Sequence, residues 1–72
     1  MAMFKYALIV YWSSEDDAYV VEVPELPGCM ADGPTPADAV TNAQGAITSW
    51  VQAAREFGRA VPEPKDRYPL SA

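Results

Sequence analysis

The sequence predicts an α+β domain in which a three-stranded antiparallel sheet carries one helix packed on one face, in the order β-β-β-α. Two segments rich in β-branched and aromatic residues flank a short polar segment, which is the pattern of a β-hairpin. A longer segment with apolar residues at three- and four-residue spacing follows, and this periodicity predicts an amphipathic helix. A short, moderately apolar segment between them supplies the third strand.

The first strand is predicted over residues 4–12, which contain no Gly or Pro. Residues 13–17 form a polar turn, and residues 18–23 form the second strand. The even positions of the first strand are all apolar, so we expect them to face the core: Phe4, Tyr6, Leu8, Val10 and Trp12. We expect the helix-free face of the sheet to carry Ile9, Tyr11 and Val20, covered by a partner or a second copy of the chain.

Two prolines and a glycine end the second strand, because proline lacks a backbone donor and glycine permits a positive φ. These residues, Pro24, Pro27 and Gly28, are therefore assigned structural roles. The third strand is predicted over residues 29–32, where Cys29 is interpreted as a small buried residue. It ends at Gly33.

The helix begins after Thr35, a favourable N-cap, with Pro36 at the first helical position and Asp38 in the first turn. Its apolar stripe comprises Ala39, Val40, Ala43, Ala46, Ile47, Trp50, Val51, Ala54 and Phe57. Gly58 supplies the residue after the helix, where a positive φ is common. Gly45 lies in the middle of the helix, where we expect it to allow close approach to the sheet.

The residues after Gly58 contain three prolines in 14 positions, which predicts an extended segment. We therefore divide the chain into a domain over residues 1–58 and a proline-rich tail over residues 59–72. For a chain of 72 residues, burial of apolar surface is limited, and oligomerisation is an expected source of stability.

Composition excludes several classes of function. Ten Asp and Glu against five Lys and Arg give a net charge of −5, which disfavours direct nucleic-acid binding and favours a basic partner. The absence of histidine excludes a Ser-His-Asp triad, and a single cysteine excludes an internal disulfide or a cysteine zinc site. No signal peptide or apolar run of membrane-spanning length is recognisable, so we expect a cytoplasmic protein without cofactors.

Three candidate chemistries remain beside simple packing. Glu22 and Asp32 are the acids on the second and third strands, and they define the alternative of a divalent-metal nuclease. The aromatic residues of the strands suggest base stacking, but such platforms require a positive surround, and Lys5 is the only basic residue among the first 54. Cys29 has no histidine to activate it and no basic residue close in sequence.

Three sequence motifs resemble the HicB family of antitoxin-like domains. They are PELPGC at residues 24–29, GPTPADA at residues 33–39 and GRAVPEP at residues 58–64. The resemblance implies a partial ribonuclease-H-like fold that lacks a working catalytic centre, self-association, and a small basic ribonuclease of the HicA type as partner. Many HicB proteins also carry a C-terminal DNA-binding domain, and the predicted tail is too short and too rich in proline to form one.

The sequence and the resemblance together predict a non-catalytic homodimer or homotetramer that blocks the active site of such a toxin. We expect toxin contacts at Asp16, Asp17, Glu22 and Glu25, and structural roles for Pro24, Pro27, Gly28, Thr35 and Gly58. The alternatives are the metal-dependent nuclease and an orphan regulatory or structural domain without a toxin.

Overall fold

The computed structural model describes residues 5–63. It contains strands β1 (Ile9–Ser13), β2 (Ala18–Glu22) and β3 (Met30–Gly33), followed by helix α1 (Pro36–Glu56). The strands form one antiparallel sheet in the order β1-β2-β3, and α1 covers one face. The predicted β-β-β-α fold is thus confirmed.

The first strand is shorter at its start than the sequence predicts. Residues 5–8 lie outside β1, and Phe4 lies outside the described residues. The register that pairs Ile9 with Glu22 would place Ala7 opposite Pro24, which has no N–H to donate. The Val23 N–H donates instead to the Cys29 carbonyl at 3.0 Å. The ladder therefore ends at Glu22, because β2 turns away before it reaches residues 5–8.

Both connections in the sheet are fixed by hydrogen bonds, one within the hairpin turn and one from the helix. In the hairpin turn, Ser13 Oγ donates to Asp16 Oδ2 at 2.9 Å, and Asp17 adopts a left-handed conformation with φ of 52°. In the turn after β2, Gly28 has φ of 80°. Trp50 Nε1 of α1 donates to the Pro27 carbonyl at 2.8 Å, so the helix holds this second turn in place.

Helix α1 begins and ends with capping geometry. Thr35 Oγ1 accepts a hydrogen bond from the Asp38 N–H at 3.1 Å, which satisfies a donor of the first turn. Gly58 has φ of 70°, and the Arg59 N–H donates to the Ala54 carbonyl at 2.7 Å. Phe57, predicted to belong to the apolar stripe, is 75% exposed. The buried stripe of α1 ends at Ala54, and Phe57 is the C-cap residue that follows the helix.

The core lies between α1 and the strands. Its fully buried side chains are Val21, Val23, Leu26, Ala39, Ala43 and Ile47. The helix approaches the sheet closely at Gly33, where a Cβ would lie 2.7 Å from the Ala39 nitrogen. The expectation for Gly45 is wrong: this residue is exposed, and nothing lies within 4 Å of the place a Cβ would occupy.

Helix α1 lies over β3 and β2 and covers β1 least. The predicted core face of the first strand is therefore only partly buried. Leu8 packs against the core, whereas Val10 is 40% and Trp12 is 51% exposed. The Trp12 ring makes an edge-to-face contact with Tyr19, with centroids 5.1 Å apart.

The first residues of the predicted tail contact the domain. Val61 packs against the core, and the Tyr6 hydroxyl donates to the Pro62 carbonyl at 2.5 Å. Residues 59–63 form no helix or strand, and residues 64–72 of the predicted tail lie outside the described part of the chain. Over residues 5–63, no helix combines the length and the apolar character needed to cross a membrane.

Candidate functional site

The sheet face opposite α1 is the candidate functional surface, and we call it the open face. Strand register places eight side chains on it, three each from β1 and β2 and two from β3: Ile9, Tyr11, Ser13, Ala18, Val20, Glu22, Met30 and Asp32. The placement follows from alternation, since Val21 and Ala31, on the other face, pack with the helix. Glu22 lies on the central strand between Ile9 and Met30, and Asp32 lies on β3 beside Val20, so carboxylates and apolar side chains are neighbours on the open face.

Apolar exposure on the open face is concentrated on three side chains. Ile9 is 48%, Tyr11 is 39% and Met30 is 51% exposed. Val20, which was predicted to need a covering partner, is only 4% exposed. Tyr11 lies directly opposite Val20 in the ladder, and Asp32 flanks Val20 on the other side. These neighbours shield Val20, so a partner would contact the surrounding side chains.

Tyr11 and Glu22 form a hydrogen-bonded pair on this face. The Tyr11 hydroxyl donates to Glu22 Oε2 at 2.8 Å. This hydrogen bond is the main cause that raises the pKa of the Tyr11 phenol, because it stabilises the neutral form beside a carboxylate. Burial and the negative charges of Glu22 and Asp16 raise that pKa further. The pair fixes a carboxylate next to an exposed aromatic ring.

Two shallow depressions lie on either side of Met30. One, of about 240 Å³, is lined by Asp16, Val20, Met30, Ala31 and Asp32. The other, of about 270 Å³, is lined by Glu22, Met30 and residues of the turn after β2. Both fall below the roughly 300–1,000 Å³ of typical small-molecule pockets. Met30 forms the ridge between them, and flexible methionine side chains are common on protein-binding surfaces.

The four acids predicted to contact a partner occupy different places. Glu22 lies on the open face, and Asp16 lies at its edge, beside Val20 and Asp32. Asp17 lies in the hairpin turn. Glu25 lies beyond the other end of β2, where Glu25 Oε2 accepts from the Ala7 N–H at 3.3 Å. The structure therefore brings together Asp16 and Asp32, and it separates Asp17 from Glu25 by the length of the sheet.

Asp32 and Met30 were not predicted as partner-contact residues. Asp32 was considered only as a metal ligand, and the short third strand has too little alternation to show which residues face the helix. Strand pairing supplies the missing information, because Met30 is opposite Glu22 and Asp32 is opposite Val20. The signal in the sequence is the placement of both residues two positions apart on one strand.

The alternative metal site was based on Glu22 and Asp32. Both carboxylates lie on the open face, on adjacent strands and offset by two residues in the ladder. Glu22 already accepts the Tyr11 hydrogen bond. Within residues 5–63, no three His, Cys, Asp or Glu side chains form a group suited to a metal ion.

Cys29 belongs to the core rather than to the open face. Its side chain is 5% exposed and packs with Val23, Leu26 and Ile47. Burial raises the pKa of the Cys29 thiol, because the thiolate would lose its hydration. The interpretation of Cys29 as a small buried residue is confirmed.

Comparison with known proteins identifies the family. The profile of the HicB-like antitoxin of bacterial toxin–antitoxin systems matches residues 6–70. A UPF0150 protein of Thermoplasma acidophilum is 36% identical over 58 residues, covering 81% of this chain and 83% of that protein. A 14.9 kDa protein encoded in the rep-hol intergenic region of Haemophilus phage HP1 is 38% identical over 48 residues, covering 67% of this chain and 36% of the phage protein. No solved structure matches.

The family match includes β1 to β3 and α1, and therefore the open face and the turn that carries the PELPGC motif. The relative from Thermoplasma acidophilum extends over most of both chains. The chain belongs to the HicB-like antitoxin family of bacterial toxin–antitoxin systems.

Proposed function

We propose that this antitoxin neutralises a small basic ribonuclease of the HicA type by covering its active site with the open face. The observation that carries the proposal is the composition of that face, where exposed apolar side chains lie directly beside carboxylates. Such a surface suits a protein whose RNA-binding site is basic and partly apolar. The antitoxin acts without chemistry of its own.

Charge supports a basic partner. The chain has a net charge of −5, and Asp16, Glu22 and Asp32 lie on or beside the open face. Complementary charges accelerate encounter and fix the orientation of two proteins, while apolar contacts in the centre of an interface contribute most of the affinity. Tyr11 on β1 and Met30 on β3 are the main apolar contacts in this proposal.

The geometry of the open face favours a protein over a small ligand. Its depressions are shallow and small, whereas its exposed side chains project from three neighbouring strands. A protein partner contacts such a broad surface, because stable interfaces bury about 800 Å² on each side. Blocking then follows from size, since RNA cannot enter an active site that lies against the sheet.

The remaining predicted acids take supporting positions in this proposal. Asp17 and Glu25 lie at opposite ends of the sheet, where they contribute to the negative field around the partner. We further propose that the antitoxin self-associates, acts in the cytoplasm, and does not itself bind nucleic acid. The net charge of −5 supports the last point, because nucleic-acid binding depends on neutralising phosphates.

Co-expression with the adjacent gene tests the proposal. The partner is expected from a neighbouring open reading frame that encodes a small, basic, histidine-containing protein. We expect the two proteins to co-purify and the antitoxin to abolish RNA cleavage by that product. Absence of binding to it at micromolar concentrations contradicts the proposal, as does metal-dependent RNA cleavage by the isolated antitoxin.

A matched pair of variants tests the surface. The double variant Glu22→Gln and Asp32→Asn removes two charges from the open face. The control, Glu56→Gln and Glu63→Gln, removes two exposed charges elsewhere and gives the same net charge. We expect the Glu22→Gln and Asp32→Asn variant to raise the Kd for the toxin at least about tenfold, and the control variant to change this Kd less than about threefold. Equal changes in Kd for the two double variants would show that the affinity depends on the net charge and not on the charges of the open face.

A further inference from the structure

The outer edge of β1 has the features of an interaction surface. Within residues 5–63, β1 pairs with β2 alone, so its other side offers unpaired backbone groups. Residues 6–14 contain no charged residue, no Pro and no Gly. Four consecutive large side chains are 39–51% exposed: Ile9, Val10, Tyr11 and Trp12. An uncharged, apolar edge strand of this kind is a template for pairing with another chain.

The opposite edge of the sheet is protected. β3 has four residues, and it carries the charged side chain of Asp32. Asn42 Nδ2 of α1 donates to the Asp32 carbonyl at 2.8 Å. A charged side chain and a covering helix are common means of blocking an edge, and β1 has no charged residue and is the strand that α1 covers least. The two edges therefore differ, and β1 is the one available for pairing.

We propose that a second copy of this chain pairs with β1 in antiparallel orientation, with Val10 opposite Val10 of the other copy. The two sheets then form one six-stranded sheet with a two-fold axis at Val10. Such an interface is self-complementary, as a two-fold dimer requires.

The backbone orientation suits this axis. The Ala7 N–H points toward the β2 side, where it donates to Glu25 Oε2 at 3.3 Å. Successive N–H groups along a strand alternate in direction, so the N–H of Leu8, Val10 and Trp12 points to the free edge. Two copies of Val10 placed opposite each other can therefore exchange both backbone hydrogen bonds.

Side-chain pairing favours Val10 over the neighbouring residues as the position of the two-fold axis. With Val10 at the axis, apolar side chains meet apolar ones, since Leu8 lies opposite Trp12 and Ile9 lies opposite Tyr11. With Tyr11 at the axis, Ile9 would meet Ser13. With Ile9 at the axis, the cationic Lys5 would meet Ser13 and gain no opposite charge. Cross-strand pairs are the main source of sheet stability, so these differences favour Val10.

Charge complementarity supports the same position of the two-fold axis. Lys5 and Glu15 are the nearest charged residues on either side of the apolar segment, and each lies five positions from Val10. Glu15 lies in the hairpin turn that follows β1, so the two-fold axis at Val10 places Lys5 of each copy near the turn that carries Glu15 of the other. Two ion pairs at the ends of the interface enclose the apolar pairs in the middle.

The proposed pairing also accounts for a feature of the single chain. Residues 4–12 have strand-forming composition, yet β1 begins at Ile9 because β2 provides no partner before it. In the dimer, Ala7 and Leu8 pair with Ser13 and Trp12 of the other copy. The segment then extends as a strand on the side that the second copy provides.

The inference sharpens the proposed self-association and does not depend on a toxin. Opposite residues in an antiparallel pair have their side chains on the same face, so both helices lie on one side of the six-stranded sheet. The two open faces lie together on the other side. Dimerisation through β1 therefore leaves both toxin-binding surfaces accessible.

Three single cysteine variants test the register on the full chain without toxin. In a hydrogen-bonded antiparallel pair the opposed Cα atoms lie about 5.5 Å apart, within the range for a disulfide. We expect Val10→Cys to form an intermolecular disulfide under mild oxidation. Ile9→Cys and Tyr11→Cys are the controls, because their two copies would lie about 8 Å apart, beyond that range. The wild-type chain, with buried Cys29, gives the background.

The outcomes separate the possibilities. Cross-linking of Val10→Cys well above both controls supports the proposed axis. Preferential cross-linking of Ile9→Cys or Tyr11→Cys overturns it in favour of a neighbouring register. Equal, background-level cross-linking of all three variants overturns pairing through β1. A wild-type chain that sediments as a monomer at about 10⁻⁴ M overturns it as well.

Charge reversal provides an independent measurement. Lys5→Glu or Glu15→Lys alone places like charges together twice in each dimer, and we expect the dimer Kd measured by sedimentation to rise about tenfold. The double variant restores opposite charges, and its Kd is expected within about threefold of wild type. Failure of the double variant to recover contradicts the pairing of Lys5 with Glu15. Circular dichroism confirms that each variant is folded.

Discussion

Replacement of Gly33 by alanine is expected to destabilise this domain, although the same replacement at Gly45 is expected to stabilise it. At Gly33, the new Cβ would lie 2.7 Å from the Ala39 nitrogen and 2.9 Å from the Asp38 carbonyl carbon. Ordinary contacts begin near 3.4 Å, so the helix must move away from β3 by about 0.7 Å. The obstructing atoms belong to the helix backbone and cannot rotate away.

The magnitude follows from what this movement disturbs. The Ala39 N–H donates to the Thr35 carbonyl at 2.9 Å, and this hydrogen bond closes the first turn of α1. Inserting a methyl group into a well-packed contact costs about 1–3 kcal/mol. At Gly45 no atom lies within 4 Å of the new Cβ, so the gain from reduced chain entropy and better helix propensity, about 0.5–1 kcal/mol, is realised in full.

Urea unfolding followed by far-ultraviolet circular dichroism measures both variants. We expect Gly33→Ala to lower the free energy of unfolding and Gly45→Ala to raise it, so that they differ by about 1.5–4 kcal/mol. Both variants are compared with wild type at one protein concentration, because the proposed dimerisation would make the measured stability depend on concentration. A Gly33→Ala variant as stable as wild type would refute the close approach of α1 to β3.

Three further predictions concern single side chains. Thr35→Ala removes the acceptor for the Asp38 N–H and is expected to cost about 1 kcal/mol in urea unfolding, whereas Thr35→Ser retains the hydroxyl and most of the stability. Glu22→Gln removes the carboxylate that mainly raises the pKa of Tyr11, so ultraviolet titration should show the pKa of that phenol falling toward its ordinary value. In wild type, the stabilisation from the Tyr11–Glu22 hydrogen bond is present below the ordinary tyrosine pKa and is lost as pH rises through the raised pKa. An unchanged Tyr11 titration in Glu22→Gln would contradict this hydrogen bond. Cys29 should react slowly with thiol reagents until urea unfolds the chain, because the thiol is buried and its pKa is raised, and rapid labelling of the native protein would contradict this burial.

The fold was predictable because its local signals agree. Helix α1 has a cap at Thr35 and an apolar stripe that continues to Ala54, and both are set by residues close in sequence. The hairpin is likewise local, since five polar residues join two apolar segments. The order of the strands follows from short connections, which leave sequential strands adjacent.

Features that depend on distant partners were not predictable. Where β1 begins is decided by Pro24 and the turn after β2, and the exposure of Val10 and Trp12 is decided by the placement of α1 over β3. The same limit applies to the close approach of the helix to the sheet, which occurs at Gly33 and not at Gly45. A single amphipathic pattern shows which face of a helix is buried, but it does not show which strand lies beneath each residue.

The candidate site was predicted in part for the same reason. Ile9 and Tyr11 were expected on the helix-free face, and alternation along one strand was sufficient to place them there. Asp32 and Met30 join them only through the pairing of β3 with β2. Acidic composition predicted that the surface is negatively charged, and strand register was needed to show which acidic residues lie on the open face.

The most direct test of the central claim is inhibition of RNA cleavage by the purified toxin from the adjacent gene. Added antitoxin should reduce cleavage to zero at a fixed stoichiometric ratio, and the Glu22→Gln and Asp32→Asn double variant should require at least about tenfold more protein at concentrations near its Kd. Cleavage that continues at saturating wild-type antitoxin would contradict an inhibitory role. Full inhibition by the double variant at the wild-type ratio and at the same concentrations would contradict the proposed contribution of Glu22 and Asp32 to toxin binding.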